Sequence, residues 1–266
     1  MALYPTGPGR QVVHIEGNWE SDGYLILRQM LGADEVEALG RAFDGLLELA
    51  RRDPIDFAED EVRFVVDREP FRLHRVVWCG GADPALAAHG ADGRFVNLAC
   101  DLLGSDTVVQ LIQQAHFKLP GDEVSFAWHQ DASNRRYGTE LWSDVNGQGS
   151  FVQVVVAVDA MDADNGALKV MPGSHRLGFV AEPDSGRVDM SLVGDQSPVT
   201  LELQPGDAVV FGPFLVHGSP PNRGRRARRV FLQGYASPGA NRREYPGCGT
   251  GVMRPRSEVK KKSSQP

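Results

Sequence analysis

Apolar residues recur at helical spacing in two stretches of the first hundred positions, and at a spacing of two through most of the later chain. Val36, Leu39, Phe43, Leu46 and Ala50 form a single stripe. Asp34-Glu-Val-Glu37 supplies a capping side chain with a glutamate three residues on, so a helix is predicted over 34–51. Phe95, Leu98, Ala99 and Leu102 predict a second helix over 94–103, stopped by Gly104 in the left-handed conformation. Beyond it, segments 108–118, 124–131, 151–158, 199–203, 207–211 and 228–235 lie between Gly, Pro, Asn or Asp turns and predict strands. Helices first and strands afterwards give an α+β class, mainly β, with a sandwich or barrel backed by the N-terminal helices. No internal repeat is visible. Two longer loops, 133–149 and 179–198, are expected to act as lids.

Composition narrows the picture. The 266 residues suit one large domain, and thirty Gly with seventeen Pro fit a turn-rich β protein. The chain divides into an N-terminal arm over 1–17, one domain over 18–237 and a Gly/Pro-rich basic tail over 238–266. That tail ends in Lys260-Lys-Lys262 and is expected to be partly disordered. No apolar run is long enough to span a bilayer, and the first ten residues lack a secretory signal, so a cytoplasmic protein without a membrane partner is expected. Three widely spaced cysteines fit reduced thiols. A formal charge of -7 argues against a general nucleic-acid binder, and a monomer or homodimer is expected. Lys118 and Lys169 are the only lysines ahead of the tail in an arginine-rich chain, which singles out Lys118.

The candidate chemistry sits in Val124-Ser-Phe-Ala-Trp-His-Gln-Asp131. His-x-Asp alone is weak: seven histidines and twenty-one aspartates give roughly half an occurrence by chance. His14-Ile-Glu16 shows the same spacing without helpful context. On a strand, however, His129 and Asp131 project from one face, their Cα atoms about 7 Å apart, while Val124, Phe126 and Trp128 pack behind. His217 follows a further strand and turn. Two imidazoles and one carboxylate hold Fe(II) on one face and leave three positions open. Arg228 opens the last strand, so either it or Arg229 must point inward. A buried guanidinium needs a partner, which a dicarboxylate, a protein carboxylate or the barrel rim would supply.

These segments together resemble the phytanoyl-CoA dioxygenase family of Fe(II)/2-oxoglutarate oxygenases. Asp22-Gly-Tyr-Leu-Ile-Leu27 is similar to the family's N-terminus, and Lys118-Leu-Pro-Gly121 leads into the first two ligands. Asn165-Gly-Ala-Leu-Lys-Val-Met-Pro-Gly-Ser-His175, Pro205-Gly-Asp207 and His217-Gly-Ser219 with Asn222 and Arg228 come next, in order. The resemblance implies a double-stranded β-helix (jelly-roll, cupin-like) core, with His129, Asp131 and His217 as iron ligands. It implies Arg228 on the distal carboxylate of 2-oxoglutarate, assisted by Ser219, and His116 against the same co-substrate. Val155 departs from the pattern, because the family often has Trp ten residues before Asn165.

The function implied is a dioxygenase that uses Fe(II), 2-oxoglutarate and O2 to hydroxylate a small organic substrate such as a natural-product intermediate, releasing succinate and CO2. Related halogenases carry a small residue in place of the carboxylate, so Asp131 favours hydroxylation. Three alternatives stay open: a cupin-type metalloenzyme needing no 2-oxoglutarate, a non-catalytic β-barrel binding protein, and nucleic-acid demethylation suggested by Arg223-Gly-Arg-Arg-Ala-Arg-Arg229. Arg135, Arg136 and Trp142 lie close to the ligand strand in sequence and are candidates for substrate contact.

Overall fold

The computed structural model describes residues 5–6, 11–52, 58–59, 62–182, 186–194 and 197–257. The chain begins with short strands β1 (Pro5–Thr6) and β2 (Gln11–Val12), then β3 (His14–Asn18) and β4 (Tyr24–Arg28). Helix α1 (Ala33–Arg52), strands β5 (Ala58–Glu59), β6 (Val62–Arg68) and β7 (Phe71–Val77), and helices α2 (Pro84–Gly90) and α3 (Gly93–Leu103) come next. The long strand β8 (Thr107–Lys118) leads to β9 (Phe126–His129), the helical turn α4 (Asp131–Asn134) and β10 (Phe151–Ala157). The last part holds β11 (Lys169–Val170), β12 (Val199–Thr200), β13 (Ala208–Phe211), β14 (His217–Ser219), β15 (Arg228–Ala236) and β16 (Val252–Pro255).

A ten-stranded antiparallel sheet runs β3-β4-β13-β10-β15-β8-β7-β6-β5, and β16 pairs with β8 beside that path. Both β7 and β16 fit on β8 because β7 pairs with residues 114–116 and β16 with 107–110. A smaller sheet of order β12-β11-β14-β9 faces it, giving the double-stranded β-helix. Every residue of β10 is buried, because both faces of this strand are covered. Val152, Val154 and Val156 pack into the helix-side core with Phe43, Phe95 and Leu98, while Val155 and Ala157 belong to the cluster between the sheets. The helices therefore brace the back of the sheet and leave its other face to line a cavity.

Most expected elements form, with instructive shifts. Helix α1 starts ahead of Asp34: Gly32 N–H donates to Glu35 Oε2 at 2.8 Å, so Glu35 rather than Glu37 closes the cap. Helix α3 ends on Gly104 at φ 65° as expected. The segment 199–203 keeps only Val199–Thr200 as strand. The helix α2 and the β6–β7 hairpin were not expected. His14–Asn18 and Val252–Pro255 both join the large sheet, so packed structure reaches past residues 18–237 on each side. Lys260–Pro266, and part of loop 179–198, lie outside the described residues. Among the described residues no helix is long and apolar enough to cross a membrane.

Candidate active site

The two sheets enclose a cavity of about 620 Å³. Alternation on the large sheet sends Ile112, Gln114 and His116 of β8, Gln153 and Val155 of β10, and Arg228, Val230 and Leu232 of β15 into it. Across from them, His217 on β14 pairs directly with His129 on β9, and their rings lie 4.2 Å apart. One ligand atom each from His129, Asp131 and His217 lies within 4.8 Å of the others.

The histidine tautomers are set by the backbone. His129 Nδ1 lies 2.8 Å from the Ala127 carbonyl, and His217 Nδ1 lies 2.9 Å from the Leu215 carbonyl. A carbonyl only accepts, so each Nδ1 carries the proton and each Nε2 offers its lone pair. Burial, followed by the neighbouring His129, pushes the pKa of His217 down to about 4, leaving the neutral form that a metal requires. Burial works against an ionised Asp131, but His217, His129 and Arg135 outweigh it and hold the carboxyl below its ordinary value. Two imidazoles and a carboxylate suit a divalent metal of the iron type.

Asp131 reaches this cluster by a route other than the expected strand. Gln130 is fully buried, donating to the Gly178 and Phe214 carbonyls at 2.8 and 2.6 Å and accepting from Val180 and Ala181 N–H. That anchor ends the strand at His129, and Asp131 opens the turn α4. The register also slips between His217–His129 and Ser219–Phe126, where three steps along β9 match two along β14. Phe126 consequently faces inward, stacked 5.6 Å from His116, instead of packing behind the ligands.

Arg228 points inward and Arg229 outward. Arg228 is 4% exposed, and Nε and Nη2 both donate to the Gly166 carbonyl. Among the described residues no carboxylate pairs with it. Burial lowers its pKa to about 10, which leaves it charged at neutral pH. Arg229 pairs instead with Asp159 and Asp44 on the helix side, and Arg226 with Asp162. The basic run 223–229 is thus split, with Arg228 facing the cavity, Arg229 the helix side, and Arg223, Arg225 and Arg226 exposed.

Lys118 lies directly opposite Arg228 in the β8–β15 register and is 1% exposed. Its Nζ donates to Ser219 Oγ at 2.7 Å, to the Ser219 carbonyl at 3.2 Å and to the Pro220 carbonyl at 2.6 Å. Since Ser219 Oγ accepts from Lys118, its own hydrogen is free to point into the cavity. Burial and then Arg228 push the Lys118 pKa down to about 6, although three acceptors match the three hydrogens of an ammonium. His116 is held neutral by burial and then by Arg75, Arg228 and Lys118, with Nε2 2.8 Å from Gln114 Oε1. The scarcity of lysine and the Lys118-Leu-Pro-Gly121 motif were the sequence signals for Lys118.

A model of the phytanoyl-CoA dioxygenase family matches residues 19–230. The chain belongs to the phytanoyl-CoA dioxygenase family. The methylphosphonate hydroxylase of Gimesia maris is 25% identical over 228 residues, covering 82% of this chain and 77% of that protein. The ectoine dioxygenase of Sphingopyxis alaskensis is 26% identical over 224 residues, covering 77% and 69%. The crystal structure of EctD from S. alaskensis with bound Fe superposes with a TM-score of 0.69 at 25% identity, over 96% of this chain and 89% of that one. Val155, expected as a departure from the family's pattern, lines the cavity in the same cluster as Val230.

The remaining sequence candidates separate cleanly. Arg135 lines the cavity and Arg136 is exposed. Trp142 is buried in a side cluster with Phe151 and donates to the Gly149 carbonyl, so it does not contact the cavity. His14 pairs with Glu16 on the exposed edge strand β3, apart from the triad. The cavity also takes Arg63 and Arg75 from the hairpin and Arg243 and Tyr245 from the segment after β15, none of which was expected there.

Proposed function

We propose that this protein is an Fe(II)- and 2-oxoglutarate-dependent dioxygenase that hydroxylates a small organic substrate. The observation that carries the reading is the facing His129–His217 pair with Asp131, set beside a buried arginine that lacks a carboxylate partner among the described residues. The overall stoichiometry is one C–H bond, one 2-oxoglutarate and one O2 converted to one C–OH, one succinate and one CO2. Bound iron supplies the oxygen activation in this scheme, and the chain supplies binding, orientation and exclusion of water.

His129 and His217 present Nε2, and Asp131 a carboxylate oxygen, from fixed positions. Arg228 holds the far carboxylate of 2-oxoglutarate through charge-assisted hydrogen bonds, each worth about 1.5–3 kcal/mol. Ser219 adds its hydroxyl, held in place by Lys118. His116 and Phe126 wall this end of the cavity, while Val155, Val230 and Leu232 give it an apolar floor that limits water. A metalloenzyme that ignores 2-oxoglutarate would leave Arg228 without a counterion. Succinate formation with Fe(II) tests the reading: wild type should produce it and Asp131→Ala should not. Equal turnover by both would remove the assignment.

A further inference from the structure

The cavity has a second basic end, one turn beyond Asp131. The Arg135 guanidinium lies 4.9 Å from the Phe151 ring and 5.0 Å from the Tyr245 ring. It is 7% exposed, and Nε and Nη1 have no hydrogen-bond partner among the described residues. The Tyr245 and Ser133 hydroxyls are likewise buried without a partner among them, and both residues line the same cavity. Ring stacking uses the faces of a guanidinium and leaves its in-plane N–H donors unspent. The Asp131 carboxylate lies within electrostatic range of this guanidinium but accepts no hydrogen bond from it, and buried donors left unspent are costly, so they call for an acceptor.

This end is well separated from Arg228. Strands β10 and β15 pair Phe151 with Ala236 at one extremity and Ala157 with Val230 at the other. Arg135 stacks on Phe151 and Arg228 lies two residues before Val230, which puts eight residues, about 26 Å of strand, between their levels. Between these levels lies His217, whose ring is 4.6 Å from Phe211, the partner of Gln153. The charge around the cavity is one-sided. Arg135 and Arg228 line it as buried guanidinium groups that make no ion pair among the described residues, where Asp131 is the one carboxylate of the lining, although the whole chain carries a formal charge of -7. Such a cavity concentrates anions.

We infer that the primary substrate is an oxyanion-bearing small molecule, whose carboxylate, phosphonate or sulfonate sits on Arg135, Tyr245 and Ser133. The carbon to be oxidised then lies between that anchor and the triad, while 2-oxoglutarate occupies the Arg228 end. This inference rests on the dioxygenase reading and deepens it.

The test uses the full chain loaded anaerobically with Fe(II) and 2-oxoglutarate. Binding of phenylphosphonate and benzoate is measured by calorimetry against their uncharged counterparts, diethyl phenylphosphonate and benzamide. At least one anion should bind better than its neutral counterpart. Arg135→Met should weaken that binding about tenfold or more, Tyr245→Phe less, and the exposed neighbour Arg136→Met not at all. Which anion binds tells phosphonate-type from carboxylate-type substrates. Failure of both anions to outbind their neutral counterparts would overturn the inference, as would anion binding indifferent to Arg135→Met. Loss of Fe(II) instead of the anion from Arg135→Met would also overturn it, making Arg135 a counter-charge for Asp131. A parallel titration of 2-oxoglutarate keeps the two readings apart, since Arg228→Met should abolish its binding and Arg135→Met should not. If wild type fails to bind 2-oxoglutarate, the dioxygenase reading falls.

Discussion

His129 and His217 stand opposite one another across β9 and β14, each with Nδ1 turned onto the carbonyl two residues before it. The backbone therefore chooses the tautomer of both imidazoles, and the metal-facing nitrogens are prepared by the strands that carry them. Replacing His217 with Gln keeps a polar side chain but removes the aromatic nitrogen donor. Iron affinity should fall by at least about tenfold, as expected for loss of a direct ligand when even second-sphere changes cost 10–100-fold. Anaerobic Fe(II) titration of the variant checks this.

Proton binding should act on the same pair. His217 has its pKa lowered in the folded chain to about 4, from an ordinary 6.5. Between those values the unfolded chain binds more protons than the folded one, so stability is fully present above pH 6.5 and is lost as pH falls towards 4. His116 is shifted in the same direction, so wild type alone does not isolate His217. Denaturant melts of metal-free protein at pH 7.5 and about pH 5 should show a smaller loss in His217→Gln than in wild type.

Lys118 and Ser219 should act as a unit. Lys118→Met removes the donor that orients the Ser219 hydroxyl, and Ser219→Ala removes the hydroxyl itself. Each should weaken 2-oxoglutarate binding, and the double variant should lose less than the sum, with a coupling of about 0.5–3 kcal/mol. Simple additivity would separate Lys118 from the co-substrate end of the cavity.

The helical layer should matter for stability and little for chemistry. Phe43 of α1 is fully buried, 5.2 Å from the Phe117 ring and 6.4 Å from the Phe231 ring, joining the helix to β8 and β15. Phe43→Ala should cost about 3–5 kcal/mol in a denaturant melt. Succinate turnover per folded molecule should stay near wild type.

The parts of this site carried by local spacing were legible in the sequence. His129 and Asp131 stand two apart, His217-Gly-Ser219 comes after the turn that ends β13, and Arg228 begins an apolar strand. A plain alternating strand gave an incomplete picture of how His129 and Asp131 come together, because burial of Gln130 depends on Phe214, 84 positions away, and the β9 bulge on strand β14. Arg135 and Tyr245 were harder to join. Their stacking links a loop to a Gly/Pro-rich segment that composition marks as tail, and no periodicity reveals it. The β6–β7 hairpin carried a readable signal in its β-branched runs on either side of Glu69-Pro70, and α2 in Asp83-Pro84 at its start.

If the triad and Arg228 form one site, 2-oxoglutarate affinity measured anaerobically with and without Fe(II) will show it. Iron should tighten binding in wild type and have no effect in Asp131→Ala. Affinity that ignores iron in wild type would contradict the account.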